Sequence, residues 1–136
     1  MVASAGGTVA ASINQQGEIT GYFIDSNLLI HDFVLAPDRK YTTFEAPGAA
    51  LMGSYVGAGA FSINAFGAVT GESIDANNAM HGFSRSPIGT FATFNAPPAG
   101  TAAGQGTRPP TNNLQGAVAG WYVDANNVNH GFLWLP

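Results

Sequence analysis

Cysteine is absent from the 136 residues, which removes disulfides and thiol nucleophiles and leaves the redox compartment unread. Charge is scarce. Four Lys and Arg and eight Asp and Glu make up 9 % of the chain, where about a quarter is usual. Arg39 and Lys40 are adjacent, Arg85 and Arg108 stand alone, and the net charge is −4. A nucleic-acid binder needs a basic footprint, so that class is excluded. No apolar run approaches the roughly 18 residues of a membrane span. No charged-then-apolar leader indicates a signal peptide. Helical periodicity of apolar residues is also missing, as are a Gly-x-Ser-x-Gly nucleophile elbow and a phosphate loop. Disorder is excluded by what is present: 46 % of residues are hydrophobic and 11 % aromatic.

What fills the chain is a repeat. Gly21-Tyr22-Phe23-Ile24-Asp25 returns as Gly71-Glu72-Ser73-Ile74-Asp75 and as Gly120-Trp121-Tyr122-Val123-Asp124. A His follows each Asp by six residues, at His31, His81 and His130, and a Phe follows each His at Phe33, Phe83 and Phe132. Aligned on Asn14, Asn64 and Asn113, the copies are offset by 50 and 49 residues. A fixed period of this size marks a repeat architecture. It also means that a residue present in every copy is there first to build the copy.

Each copy resolves into four short segments bounded by turn residues, the mark of strands. Tyr41–Phe44 and Phe91–Phe94 close on Ala46-Pro47 and Ala96-Pro97, where proline ends a strand. Val9–Ile13 and Gly59–Ile63 run into turns ending at Gly17 and Gly67, with Gly116 as the third. The third segment contains Gly21, Gly71 or Gly120, where a missing side chain signals a bulge or a close backbone approach. The fourth begins at the His and stops at Pro37, Pro87 or Pro136. Gly100 to Asn112 is rich in Gly, Thr and Pro and reads as a loop. The fold class expected is all-β: a single domain, 1–136, of three propeller-like four-stranded blades in units of roughly 1–37, 41–87 and 91–136, the first incomplete. A β-trefoil fits the same arithmetic and is the alternative.

The string Tyr-Thr-Thr-Phe-x-Ala-Pro-Gly-Ala at 41–49, followed by Ser-Ile-Asn-x-x-Gly, Thr-Gly-x-x-Ile-Asp and His-Gly-Phe, resembles the bacterial extracellular HAF repeats. The resemblance spans nearly the whole chain and implies an extracellular or periplasmic, propeller-like array. The chain departs from the pattern at Asp32, where the other copies carry Gly82 and Gly131.

Function is read from the same residues. The pairs Asp25/His31, Asp75/His81 and Asp124/His130 flank a turn, so an imidazole bonded to a carboxylate would pin each hairpin; convergence of the three His on a metal is the rival. The Asx loops at Asp25, Asp75 and Asp124 offer oxygen ligands of the kind calcium takes. Residues that break the repeat are better candidates for chemistry: Glu72 in place of Tyr22 and Trp121, Asp32 in place of glycine, and Glu45 opposite Asn95. Tyr22, Trp121 and Tyr122 are candidates for stacking on sugar, while alternation turns the Ile24, Ile74 and Val123 face inward. The expected function is a binding or surface-scaffold module for a glycan or small molecule, acting as a homo-oligomer, with a dimer favoured because open blade faces expose apolar surface. The alternative is a calcium-assisted hydrolase such as a lactonase or esterase.

Overall fold

A computed structural model describes residues 6–50 and 58–136. These residues contain eleven strands and no helix: β1 Gly7–Ile13, β2 Ile19–Ile24, β3 Ile30–Leu35, β4 Tyr41–Phe44, β5 Ala58–Ile63, β6 Val69–Ile74, β7 Met80–Arg85, β8 Phe91–Phe94, β9 Gly106–Asn112, β10 Val118–Val123 and β11 Asn129–Trp134. Lacking any helix, the described residues hold none long and apolar enough to cross a membrane.

The strands pair in chain order as antiparallel meanders: β1 to β4, β5 to β8, and β9 to β11. A single parallel pairing, Met80 opposite Gly106, joins the second meander to the third, making sheets of four and seven strands. Neither closes into a barrel. The grouping corrects the phase expected from the repeat. Tyr41–Phe44 pairs with β3 and Phe91–Phe94 with β7, so the short unit is the third among the described residues, not the first. The cause is loop length. Three-residue loops after Ala36 and Ser86 fold β4 and β8 straight back, and short hairpin loops make neighbours.

The hairpins β1–β2, β5–β6 and β9–β10 share one turn chemistry. Asn14 Oδ1 accepts the amides of Gln16 and Glu18, and Gly17 takes a positive φ of 82°. Asn64/Gly67 and Asn113/Gly116 repeat it. This is a tight turn completed by a left-handed residue, which glycine adopts without strain. Gly21, Gly71 and Gly120 sit opposite bulges in β1, β5 and β9. A Cβ on any of them would collide with the carbonyl oxygen of Val9, Gly59 or Arg108.

The segment read as a loop before Asn112 is instead β9 from Gly106. Its Pro109 and Pro110 occupy the bulge, where the ladder does not need their missing amides.

The meanders stack through repeated contacts. Asn14 Nδ2 donates to Asn64 O at 3.0 Å, and Asn64 Nδ2 donates to Asn113 O at 3.0 Å. Phe44 of β4 packs on Phe83 and Phe91 of the next meander, and Arg85 lies 4.7 Å from the Phe44 ring. Phe94 of β8 packs in the same way on Phe132 and Trp134. The core cluster lies between the first two meanders: Phe44, Ala46, Ala60, Ile63, Val69 and Phe83. The middle strand β6 is buried along its length, whereas β1 and alternate residues of β11 are exposed.

Candidate functional site

Alternation along a strand puts residues two apart on one face. Tyr22 and Ile24 of β2 therefore point the same way, as do Glu72 and Ile74 of β6. Stacking of the meanders turns these faces into a groove. Its first hollow, about 230 Å³, is lined by Tyr22, Ile24, Ile30, Gly59, Phe61, Glu72 and Ile74. Its second, about 170 Å³, is lined by Phe61, Glu72, Arg108, Pro110 and Trp121. Phe61 and Glu72 belong to both, so the hollows are two lobes of one groove. Phe61 reaches this place because it is the extra residue of the β5 bulge, and bulges re-aim side chains. No repeat signal marks it, since the matching positions are Ala11 and Pro110.

Glu72 is the groove's acid. It is 9 % exposed and has no hydrogen-bond donor among the described residues. Burial raises its carboxyl above the ordinary value, and attraction to Arg108 only partly offsets this. Trp121, 39 % exposed, presents an aromatic surface at one end. Tyr22 stands half-buried at the other. Ile24 and Ile74 are half-buried on the groove wall, and Val123 is buried. The structure thus joins Tyr22, Glu72 and Trp121, and separates Tyr122 from them. Neighbours in sequence, Trp121 and Tyr122 face opposite sides of β10, and Tyr122 stacks on His130 at 4.9 Å.

The three Asp/His pairs lie outside the groove. Nε2 of His31, His81 and His130 stands 3.1, 2.8 and 3.0 Å from Oδ2 of Asp25, Asp75 and Asp124. The other carboxylate oxygen caps the turn: Asp25 Oδ1 accepts the Asn27 and Leu29 amides, and Asp75 and Asp124 do the same. These bonds hold all three carboxylates below their ordinary range, the Leu29 amide leading for Asp25, His81 for Asp75 and the Val128 amide for Asp124. Both oxygens of each Asp are thus engaged within their own hairpin. Among the described residues no three His, Asp or Glu are grouped to hold a metal, and the histidines do not converge.

Glu45 and Asp32 also resolve into structural positions. Glu45 bonds His31 Nδ1, and Asn95 bonds His81 Nδ1 at 2.8 Å. Burial alone would push His31 down, but its bonds to Glu45 and Asp25 leave it raised. Asp32 is fully buried and lines neither lobe of the groove. Its Oδ1 accepts the Ala60 amide of the next meander at 2.8 Å, and its Oδ2 is buried without a partner. Burial pushes this carboxyl up to about 8. The third meander has Pro109 where the second has Ala60. Proline offers no N–H, so Gly82 suffices where the first meander uses Asp32.

No family model matches the chain, and neither a curated protein nor a solved structure shows significant similarity to it.

Proposed function

We propose that this chain is an extracytoplasmic binding module whose groove takes a carbohydrate. One observation carries the reading: Tyr22, Phe61, Glu72, Arg108 and Trp121, drawn from all three meanders, line one groove. A sugar presents apolar C–H faces and a rim of hydroxyls. Aromatic rings at the two ends suit the faces, and a carboxyl and a guanidinium at the centre suit the hydroxyls. The repeat and its HAF resemblance support a propeller-like arrangement of the meanders as blades, with the groove running across them.

The test is titration with an oligosaccharide panel, read by isothermal titration calorimetry, on the native chain and on Trp121→Ala and Glu72→Gln. Saturable binding that Trp121→Ala weakens at least about tenfold is expected, the scale of a lost stacking contact with its burial. Both variants should keep their melting temperature, since Trp121 is partly exposed and a neutral amide suits the Glu72 site. Absence of any glycan signal, together with turnover of an ester or lactone that Glu72→Gln abolishes, would replace this reading with the hydrolase one.

A further inference from the structure

The turns at Asn14 and Asn64 and the loops after Ala36 and Ser86 lie at one end of the meanders, away from the Asp turns. Between the first two meanders they bound a cleft of about 230 Å³ that shares no residue with the groove. Its polar lining includes Glu18, Lys40, Thr42 and Arg85, and all four break the repeat. Glu18 stands where the other meanders have Ala68 and Ala117. Lys40 stands where the second has Thr90, and Thr42 where it has Ala92. Arg85 stands where the first and third have Leu35 and Trp134. None of the four is needed to build a meander, yet positions far apart in the chain converge on one cleft. It also takes two of the four basic residues of an acidic chain.

These side chains are held in place with bonding capacity left over. Arg85 lies 4.7 Å from the Phe44 ring, and its Nη1 donates to Ser86 O at a long 3.4 Å. Its Nε is buried without a partner, and burial pushes the guanidinium pKa down. Among the described residues no carboxylate pairs with Arg85 or Lys40. Glu18 Oε2 accepts Asn14 Nδ2 at 2.7 Å and reaches across to the second meander, where a Cβ on Gly67 would meet it at 3.1 Å.

We propose that this cleft binds a small hydroxy acid of the sugar-acid class, its carboxylate on Arg85 and Lys40 and its hydroxyls on Glu18 and Thr42. A guanidinium fork with donors to spare matches a carboxylate, and an ammonium beside it adds charge. Glu18 repels a bare inorganic anion but accepts from a hydroxyl, so the cleft selects a ligand with an acid at one end and a donor at the other. Val34 and Ile88 supply an apolar wall for the carbon skeleton.

Calorimetric titration with glucuronate and galacturonate, against glucose, galactose and inorganic phosphate, tests this on the full chain and on Trp121→Ala, which removes the groove's contribution. In both proteins one sugar acid per chain should bind, at least about tenfold tighter than the neutral sugars, as expected for hydrogen bonds to charged groups. Added salt should weaken that binding. Three variants restore a residue that another meander carries at the same position, so each should fold. Arg85→Leu should abolish the preference for the acid, and Lys40→Thr, which removes an exposed cation, should cost up to about fivefold. Glu18→Ala should raise the affinity for phosphate relative to the sugar acids. The proposal is overturned by any of three results: sugar acids that bind Trp121→Ala no tighter than neutral sugars do, phosphate that binds the native chain as tightly as they do, or affinities unchanged in both Arg85→Leu and Lys40→Thr.

Discussion

Leu28 is the one residue of its turn that the repeat does not favour. It adopts a φ of 64°, and the equivalent positions, with φ of 60° and 62°, are Asn78 and Asn127. Asparagine tolerates this left-handed region, whereas leucine is strained in it, at a cost of roughly 1–2 kcal/mol for an ordinary side chain. Leu28 is also 52 % exposed, so little packing would be lost with it. Leu28→Asn should therefore stabilise the chain by about 1 kcal/mol, measurable by urea unfolding; no gain would show that the turn relaxes around leucine. Asp32 is the other residue that breaks the pattern, and the break was legible in the sequence although its meaning was not. The amide it serves belongs to Ala60, in another meander, and the bulge that frees that amide is a property of tertiary pairing. Its carboxyl is pushed from 3.8 up to about 8, so the folded chain holds this proton more tightly than the unfolded one. Stability from this group is therefore full below about pH 4, declines as pH rises toward 8, and levels off above. The depressed Asp25, Asp75 and Asp124 act oppositely, and their contribution is lost only as pH falls below the ordinary carboxylate value of 3.8. Asp32→Asn keeps an oxygen for Ala60 and removes the ionisation. It should flatten the decline between pH 5 and 8.5; parallel profiles for the two proteins would reject the assignment.

The strands other than β9 were readable because each is short and closed by Pro, Gly, Asn or Asp. What the sequence pattern did not carry was the phase of the repeat, since any cyclic rotation of four segments has the same period. Phase is decided by which connections are tight: the bonds from the Arg39 amide to Ala36 and from the Gly89 amide to Ser86 close β4 and β8 onto their own meanders. Pro109 and Pro110 likewise masked β9, because proline argues against a strand unless a bulge releases its amide, and bulges leave little trace in sequence. The groove was half-legible. Tyr22, Glu72 and Trp121 stood out as variations at one repeat position, but Phe61 and Arg108 enter only through stacking. Those bulges give a prediction at this scale. Gly71 lets the Gly59 carbonyl lie against its Cα, and a methyl there has no room against rigid backbone. Gly71→Ala should destabilise the chain by more than about 3 kcal/mol, and more than Gly131→Ala, whose Cβ meets open space. Equal thermal shifts for the two would mean that the bulge yields easily.

The meanders stack with one polarity, each Asn side chain donating to the next turn's carbonyl, from Asn14 to Asn64 to Asn113. Such an arrangement has no internal reason to stop at three. Asn113 Nδ2 has no acceptor among the described residues, and β1 at the opposite end is exposed along most of its length, with Val9 at 43 % and Ile13 at 65 %. Trp121, Leu133 and Leu135 leave apolar surface at the other end. Repeat arrays with uncapped apolar ends associate, and a heterologous contact of one end with the other extends the same interface. We therefore expect the chain to pair head to tail through β1 and the third meander, giving about six blades in a propeller-like dimer, a common closed number. Sedimentation velocity across a concentration series should show a dimer that dissociates on dilution. Ile13→Asp should remove it without lowering the melting temperature of the monomer, because the side chain is already largely in water. A stable monomer at high concentration would show instead that the exposed ends are tolerated in water, and the homo-oligomer expectation would fall with it.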